Sequence, residues 1–63
     1  MSNASKDDLD RLHQAYSEAA DLLQKAGETA KANGMDSIEF ADADRKAVEA
    51  VKNCQKIKAR LRL

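Results

Sequence analysis

Two runs of small and apolar residues with heptad spacing, separated by one Asn-Gly pair, constrain this chain more than any other feature. In each run seven residues recur at alternating intervals of three and four, which places them on one stripe of an α-helix. The pattern predicts an all-α fold, a two-helix antiparallel hairpin that buries one stripe against the other. The stripes consist of Leu9, Leu12, Tyr16, Ala19, Leu23, Ala26 and Ala30, and of Phe40, Ala43, Ala47, Ala50, Cys54, Ile57 and Leu61.

Local signals predict where the helices begin and end. Ser5 suits an N-cap, and Asp8 occupies the capping-box position three residues later. Gly34 suits the left-handed backbone that commonly follows a helix. Asp36, with Glu39 three residues later, predicts a second capped N-terminus.

These signals divide the chain into a disordered N-terminus and one helical-hairpin domain. We expect disorder over 1–5 and a single domain over 6–63. Within that domain we expect a helix over 6–33, a turn over 34–36 and a helix over 37–62.

An alternative remains open at the start of the second helix. The segment Ser37-Ile38-Glu39-Phe40 alternates in polarity, which also suits a short strand. The helix would then begin at Asp42 or Asp44. A four-residue strand needs a partner strand, and a second copy of the chain is the natural source.

Chain length favours self-association. A 63-residue chain buries a small share of its surface, and proteins of this size commonly use disulfides, metals or oligomerisation. One cysteine and one histidine exclude an internal disulfide and disfavour a zinc site. Further apolar residues flank the two heptad stripes, and we expect them to form the interface of a homodimeric four-helix bundle. These residues are Ala15, Leu22, Val48 and Val51.

Charge is segregated along the chain although the formal net charge is zero. Residues 1–44 carry four basic and ten acidic side chains, whereas residues 45–63 carry seven basic and one acidic. In an antiparallel hairpin the two groups lie side by side, where they neutralise each other and complement the helix dipoles. The alternative is a basic face on the second helix that contacts nucleic acid. Its residues are Arg45, Lys52, Lys56, Arg60 and Arg62.

The sequence predicts neither catalysis nor a bound cofactor or metal. His13, the single histidine, lacks the neighbouring nucleophile and orienting group that a general base requires. Cys54 lies on a heptad stripe, where a thiol behaves as a small hydrophobic group. The acidic residues near the turn do not match a calcium-binding loop. An unpaired cysteine, without a signal peptide or a long apolar run, predicts a cytoplasmic protein with no membrane segment.

Two resemblances accompany this pattern. Chain length and hairpin layout resemble the small plasmid copy-number regulators, which are dimers of helical hairpins that bind paired RNA loops. The stretches Asp8–Tyr16 and Ile38–Asp44 resemble the small head–tail joining proteins of tailed phages. Those phage proteins place a β-hairpin between two helices, whereas the segment Ala20–Ala32 has a continuing helical pattern here.

The predicted function is that of a small, non-enzymatic protein–protein interaction or adaptor module acting as a helical-bundle oligomer. The alternative is a nucleic-acid-binding regulator of the plasmid or phage type that uses the basic face of the second helix. Salt dependence separates the two, because binding to phosphates weakens steeply with salt. The sequence does not identify a protein partner.

Overall fold

Two packed helices make up the structure. The computed structural model describes residues 5–62, in which α1 spans Lys6–Asn33 and α2 spans Ile38–Arg60. The helices pack against each other in one layer, and the Cα atoms extend over 45 × 15 × 12 Å. The predicted all-helical hairpin is confirmed, whereas its assembly into a four-helix bundle stays a prediction. Most of the predicted disordered N-terminus falls on residues 1–4, which lie outside the described residues.

The ends of α1 follow the sequence signals. The Ser5 hydroxyl accepts the Asp8 backbone N–H at 3.1 Å, and the Ser5 N–H donates to the Asp8 carboxylate at 3.2 Å. After Asn33, Gly34 has a φ of 91°, and its N–H donates to the Ala30 carbonyl at 2.8 Å. Glycine suits this position because a side chain strains a backbone with positive φ. The helix between these caps is unbroken, unlike the helix–β-hairpin–helix order of the phage joining proteins.

The predicted cap of α2 is wrong by one residue. Ser37, not Asp36, is the N-cap, and its hydroxyl accepts the Phe40 N–H at 3.1 Å. The same hydroxyl donates to the Gly34 carbonyl at 2.7 Å, which an ionised Asp36 carboxylate cannot do. One side chain therefore closes the turn and caps the helix. Residues 38–40 are helical, which excludes the alternative strand, and α2 ends at Arg60, two residues earlier than predicted.

Small side chains occupy five of the six buried positions, which are held by four alanines and one cysteine. Ala15, Ala19 and Cys54 form a buried cluster against which residues at the edges of α2 pack. Alanine at such positions allows two helices to approach at the short end of the usual range of about 8–10 Å. We call the buried residues the alanine seam: Leu12, Ala15, Ala19, Ala26, Ala47 and Cys54.

The two helices differ in how well the heptad stripes predict the seam. Every residue of the predicted α2 stripe is buried or partly buried, so that prediction is confirmed. On α1 the prediction is wrong for Leu9, Tyr16 and Leu23, which are 45%, 48% and 50% exposed. The helix is rotated so that Ala15 and Leu22 turn toward α2 instead. The rotation brings a row of alanines, rather than leucine and tyrosine, against the neighbouring backbone.

Candidate functional site

A hairpin one layer thick has two broad faces, and a depression at its open end identifies one of them. Arg11 of α1 and Asn53 of α2 both line this depression, so both lie on that face. At 100° per residue, Leu9, Tyr16 and Leu23 lie about 120–160° from Arg11 around α1. These three side chains therefore belong to the opposite broad face.

The same geometry places Val48 and Val51 of α2 on that opposite face. Val51 lies about 160° from Asn53 around the helix, and it packs at the edge of the alanine seam. Val48 stands one turn before Val51 and is 43% exposed. We call this surface the apolar face, and its residues are Leu9, Tyr16, Ala20, Leu23, Gly27 and Val48.

The apolar face of α1 is an uncharged stripe. Positions 9, 13, 16, 20, 23, 27 and 30 have heptad spacing and include no Asp, Glu, Lys or Arg. A side-chain carbon added at Gly27 would meet nothing within 4 Å, so this glycine does not serve packing inside the hairpin. Contiguous exposed apolar surface of this kind is typical of an interaction site.

The structure places the four residues that the sequence assigns to an oligomer interface in different environments. Ala15 is 7% exposed and belongs to the alanine seam, where the opposite helix covers it. Leu22 and Val51 are partly buried by the hairpin itself, and Val48 is exposed on the apolar face. Sequence reasoning missed Leu9, Tyr16 and Leu23 as exposed residues. The absence of charge along their stripe was the signal that could have identified them.

Arg45, one residue of the predicted basic face, is engaged in an ion pair within α2. Arg45 pairs with Asp42 at 2.7 Å, and Lys46 pairs with the same carboxylate at 3.2 Å. Lys46, followed by Arg45, lowers the pKa of Asp42 by hydrogen bonding and by charge. Both ion pairs lie within α2. Over residues 5–62 no pair within 4 Å joins the two helices, so the neutralisation expected between them does not occur through direct contact.

The basic surface is concentrated near the open end of α2. Lys52, Lys56 and Arg60 are exposed at intervals of four residues, which places them on one side of the helix. Arg60 also lines the open-end depression with Asp8. Arg62 follows the end of α2 at a φ of 60° and therefore leaves the helical stripe.

The remaining reactive groups are separate from one another. His13 is exposed on α1, and Cys54 is a free thiol that is only 2% exposed within the seam. Within the described range, no three His, Cys, Asp or Glu side chains are grouped as metal ligands. Neither helix there combines the length and the apolar character needed to cross a membrane.

Comparisons with protein-family models, with curated proteins and with solved structures return no match to this chain. The apolar face and the basic end of α2 are thus the two candidate sites that the geometry itself provides.

Proposed function

We propose that this hairpin is a non-enzymatic protein–protein interaction module that acts as a helical-bundle oligomer. One observation carries the proposal: the large apolar side chains of one broad face are exposed, while alanines fill the seam. Leu9, Tyr16, Leu23 and Val48 are each between 43% and 50% exposed on a face whose α1 stripe is uncharged. Covering these side chains supplies the apolar burial that the alanine seam supplies only weakly.

The size of the exposed surface supports the same proposal. A compact monomer of 6.9 kDa exposes about 4000 Å², whereas this chain exposes 5036 Å². The difference, about 1000 Å², is close to the roughly 800 Å² that each partner buries in a standard protein–protein interface. The radius of gyration is 14.2 Å, against about 10.6 Å for a compact domain of this length.

A cytoplasmic location is part of the proposal. Its support is the single cysteine, Cys54, which remains a free thiol inside the seam. A reducing compartment keeps such thiols unpaired.

Sedimentation equilibrium of Leu23→Glu tests the proposal, with Ile38→Glu as the matched control. Leu23 lies in the middle of the apolar face, whereas Ile38 is 84% exposed and lies beside Asp42 and Arg45 on another side of α2. We expect the unmodified chain to sediment as an oligomer. We expect Leu23→Glu to raise the dissociation constant at least about 100-fold, because association then buries unpaired carboxylates.

The control variant should keep the mass of the unmodified chain, and circular dichroism should show that both variants remain helical at high concentration. A monomeric mass for the unmodified chain at all concentrations would overturn the proposal. Equal association of the two variants would overturn the assignment of the face.

The alternative function is that of a nucleic-acid-binding regulator, and the exposed row of Lys52, Lys56 and Arg60 favours it. Titration of RNA and DNA against the chain at several salt concentrations tests this alternative. Phosphate contacts predict a log–log salt slope of about −0.9 for each phosphate neutralised on duplex DNA. Replacing Lys56 with Gln should remove one phosphate contact and make that slope less negative by about 0.9. A flat salt response would exclude this function.

A further inference from the structure

We infer that the apolar face binds a second copy of this chain running in the opposite direction. The twofold axis of the pair passes near Ala20 on α1 and between Val48 and Val51 on α2. This inference rests on the proposed self-association and adds its geometry. Three observations carry it: the order of residues on α1, their order on α2 and the distribution of charge between the two ends of the hairpin.

The side chains along the α1 stripe fit against those of a second α1 that runs in the opposite direction. When two copies of α1 cross antiparallel at Ala20, Leu9 meets the partner's Ala30, and Tyr16 meets the partner's Leu23. His13 meets the partner's Gly27, where the structure leaves open space for a side chain. Large side chains therefore face small ones toward both ends of the stripe, as interdigitated packing requires.

On α2, positions 44, 48, 51 and 55 have heptad spacing and follow the side of the helix that carries Val48. Their order also reverses about the same axis. The cluster that joins Ala15, Ala19 and Cys54, with Ala50 packed against it, sets which residues of the two helices lie at equal heights. Ala20 of α1 is accordingly level with the segment between Val48 and Val51. In the reversed pair Val48 meets the partner's Val51, and Asp44 meets the partner's Gln55, whose side-chain amide can donate to the carboxylate. A single axis thus satisfies both helices.

Charge along the long axis favours the same direction. The open half of the hairpin, residues 6–19 and 50–62, carries seven basic and four acidic side chains. The turn half, residues 20–49, carries four basic and seven acidic side chains. Reversed packing brings the positive half of each copy over the negative half of the other.

A pair running in the same direction has the opposite electrostatic result. It stacks halves of like charge within about one Debye length, which is roughly 10 Å at moderate salt. In such a pair, α1 of each copy packs against α2 of the other. Leu9 then lies over the partner's Ala59, and the two Ala20 residues are far apart. The two arrangements therefore predict different cross-links.

Single-cysteine cross-linking tests the inference in a Cys54→Ala background, which removes the native thiol. In the reversed pair Ala20→Cys lies beside its own copy, within the roughly 7 Å between Cα atoms that a disulfide allows. We expect this variant to oxidise to a covalent dimer at least about tenfold faster than Ile38→Cys, because pairing raises the effective thiol concentration. A mixture of Leu9→Cys and Ala59→Cys should cross-link no faster than that control.

The possible results separate this inference from the proposed function. Fast cross-linking of the Leu9→Cys and Ala59→Cys mixture, without cross-linking of Ala20→Cys, means that copies pair in the same direction; this overturns the inference and leaves self-association intact. A dimeric mass with no fast cross-link in either sample also overturns it, because another surface then pairs. A monomeric mass in the Cys54→Ala background and in the unmodified chain overturns both.

Discussion

The alanine seam and the apolar face distribute side-chain size in opposite ways. Ala47 is fully buried and Ala19 is 4% exposed, whereas Tyr16 and Leu23 are about half exposed. In a protein that is stable as a monomer, the larger apolar side chains usually occupy the buried positions. Here the seam permits close approach of two helices, and four larger apolar side chains remain for a second surface: Leu9, Tyr16, Leu23 and Val48.

This difference indicates a division of roles between the two regions. The seam sets the geometry of the hairpin through steric fit, so changes in it should act at every protein concentration. The side chains of the apolar face are about half covered in the single hairpin, so changes in this face should act most strongly where the chain associates. Three predictions test this comparison, in addition to those that test the proposals.

Ala47→Leu should have the largest effect. Ala47 is 0% exposed, so three added carbon atoms force the helices apart or displace their neighbours. Overpacking of this kind costs about 1–3 kcal/mol, which is a large share of the stability of a small domain. Circular dichroism should show a loss of helix that does not depend on protein concentration.

Ala32→Leu is the matched control for that variant, because Ala32 is exposed on α1. It should melt at nearly the temperature of the unmodified chain. Equal melting of Ala47→Leu and the unmodified chain would mean that the seam is loosely packed.

Tyr16→Ala should have an intermediate effect that depends on concentration. The substitution removes the contacts of the half-exposed ring with a partner. We therefore expect the free energy of unfolding to fall by about 1–2 kcal/mol at concentrations where the chain associates. The loss should become smaller on dilution, because only the contacts within the hairpin then remain and alanine favours the helix slightly more than tyrosine does. Thermal melts across a hundredfold dilution series measure this, and a constant loss at all dilutions would place Tyr16 in the fold of the single hairpin.

Loss of the exposed ion pairs of Asp42 should have the smallest effect on stability, because these pairs belong to neither the alanine seam nor the apolar face. Lys46 and then Arg45 hold the pKa of Asp42 below its ordinary value of 3.8, so the folded state favours the carboxylate. Their contribution is therefore present above pH 3.8 and is lost as the pH falls through the lower folded pKa. Carboxyl NMR titration should show a midpoint below 3.8. Lys46→Gln should raise that pKa more than Arg45→Gln does, and an unchanged midpoint in Lys46→Gln would show that the pair is absent in solution.

Much of the fold was predictable from local sequence. The capping box of Ser5 and Asp8, the glycine after Asn33 and the stripe of α2 all act over a few residues, and each is found as predicted. The cap of α2 was displaced by one residue. Asp36 and Ser37 are both good N-caps, and Ser37 is preferred because its hydroxyl also donates to the Gly34 carbonyl.

The candidate site was less predictable, because two stripes overlap on α1. Leu12, Ala19 and Ala26 belong both to the predicted stripe and to the observed seam, so periodicity alone does not choose between them. The choice decides whether Tyr16 or Ala15 faces α2. It consequently decides which residues remain exposed for a partner.

The sequence by itself determined the two helices, their turn and the segregation of charge, because periodicity, capping and composition are local properties. Only the tertiary structure decided how far α1 rotates about its axis. That rotation depends on the surface of α2, whose alanines at 43, 47 and 50 admit a close backbone and favour small residues opposite. Close packing of two specific surfaces, which no single helix encodes, thus placed Leu9, Tyr16 and Leu23 on the outside.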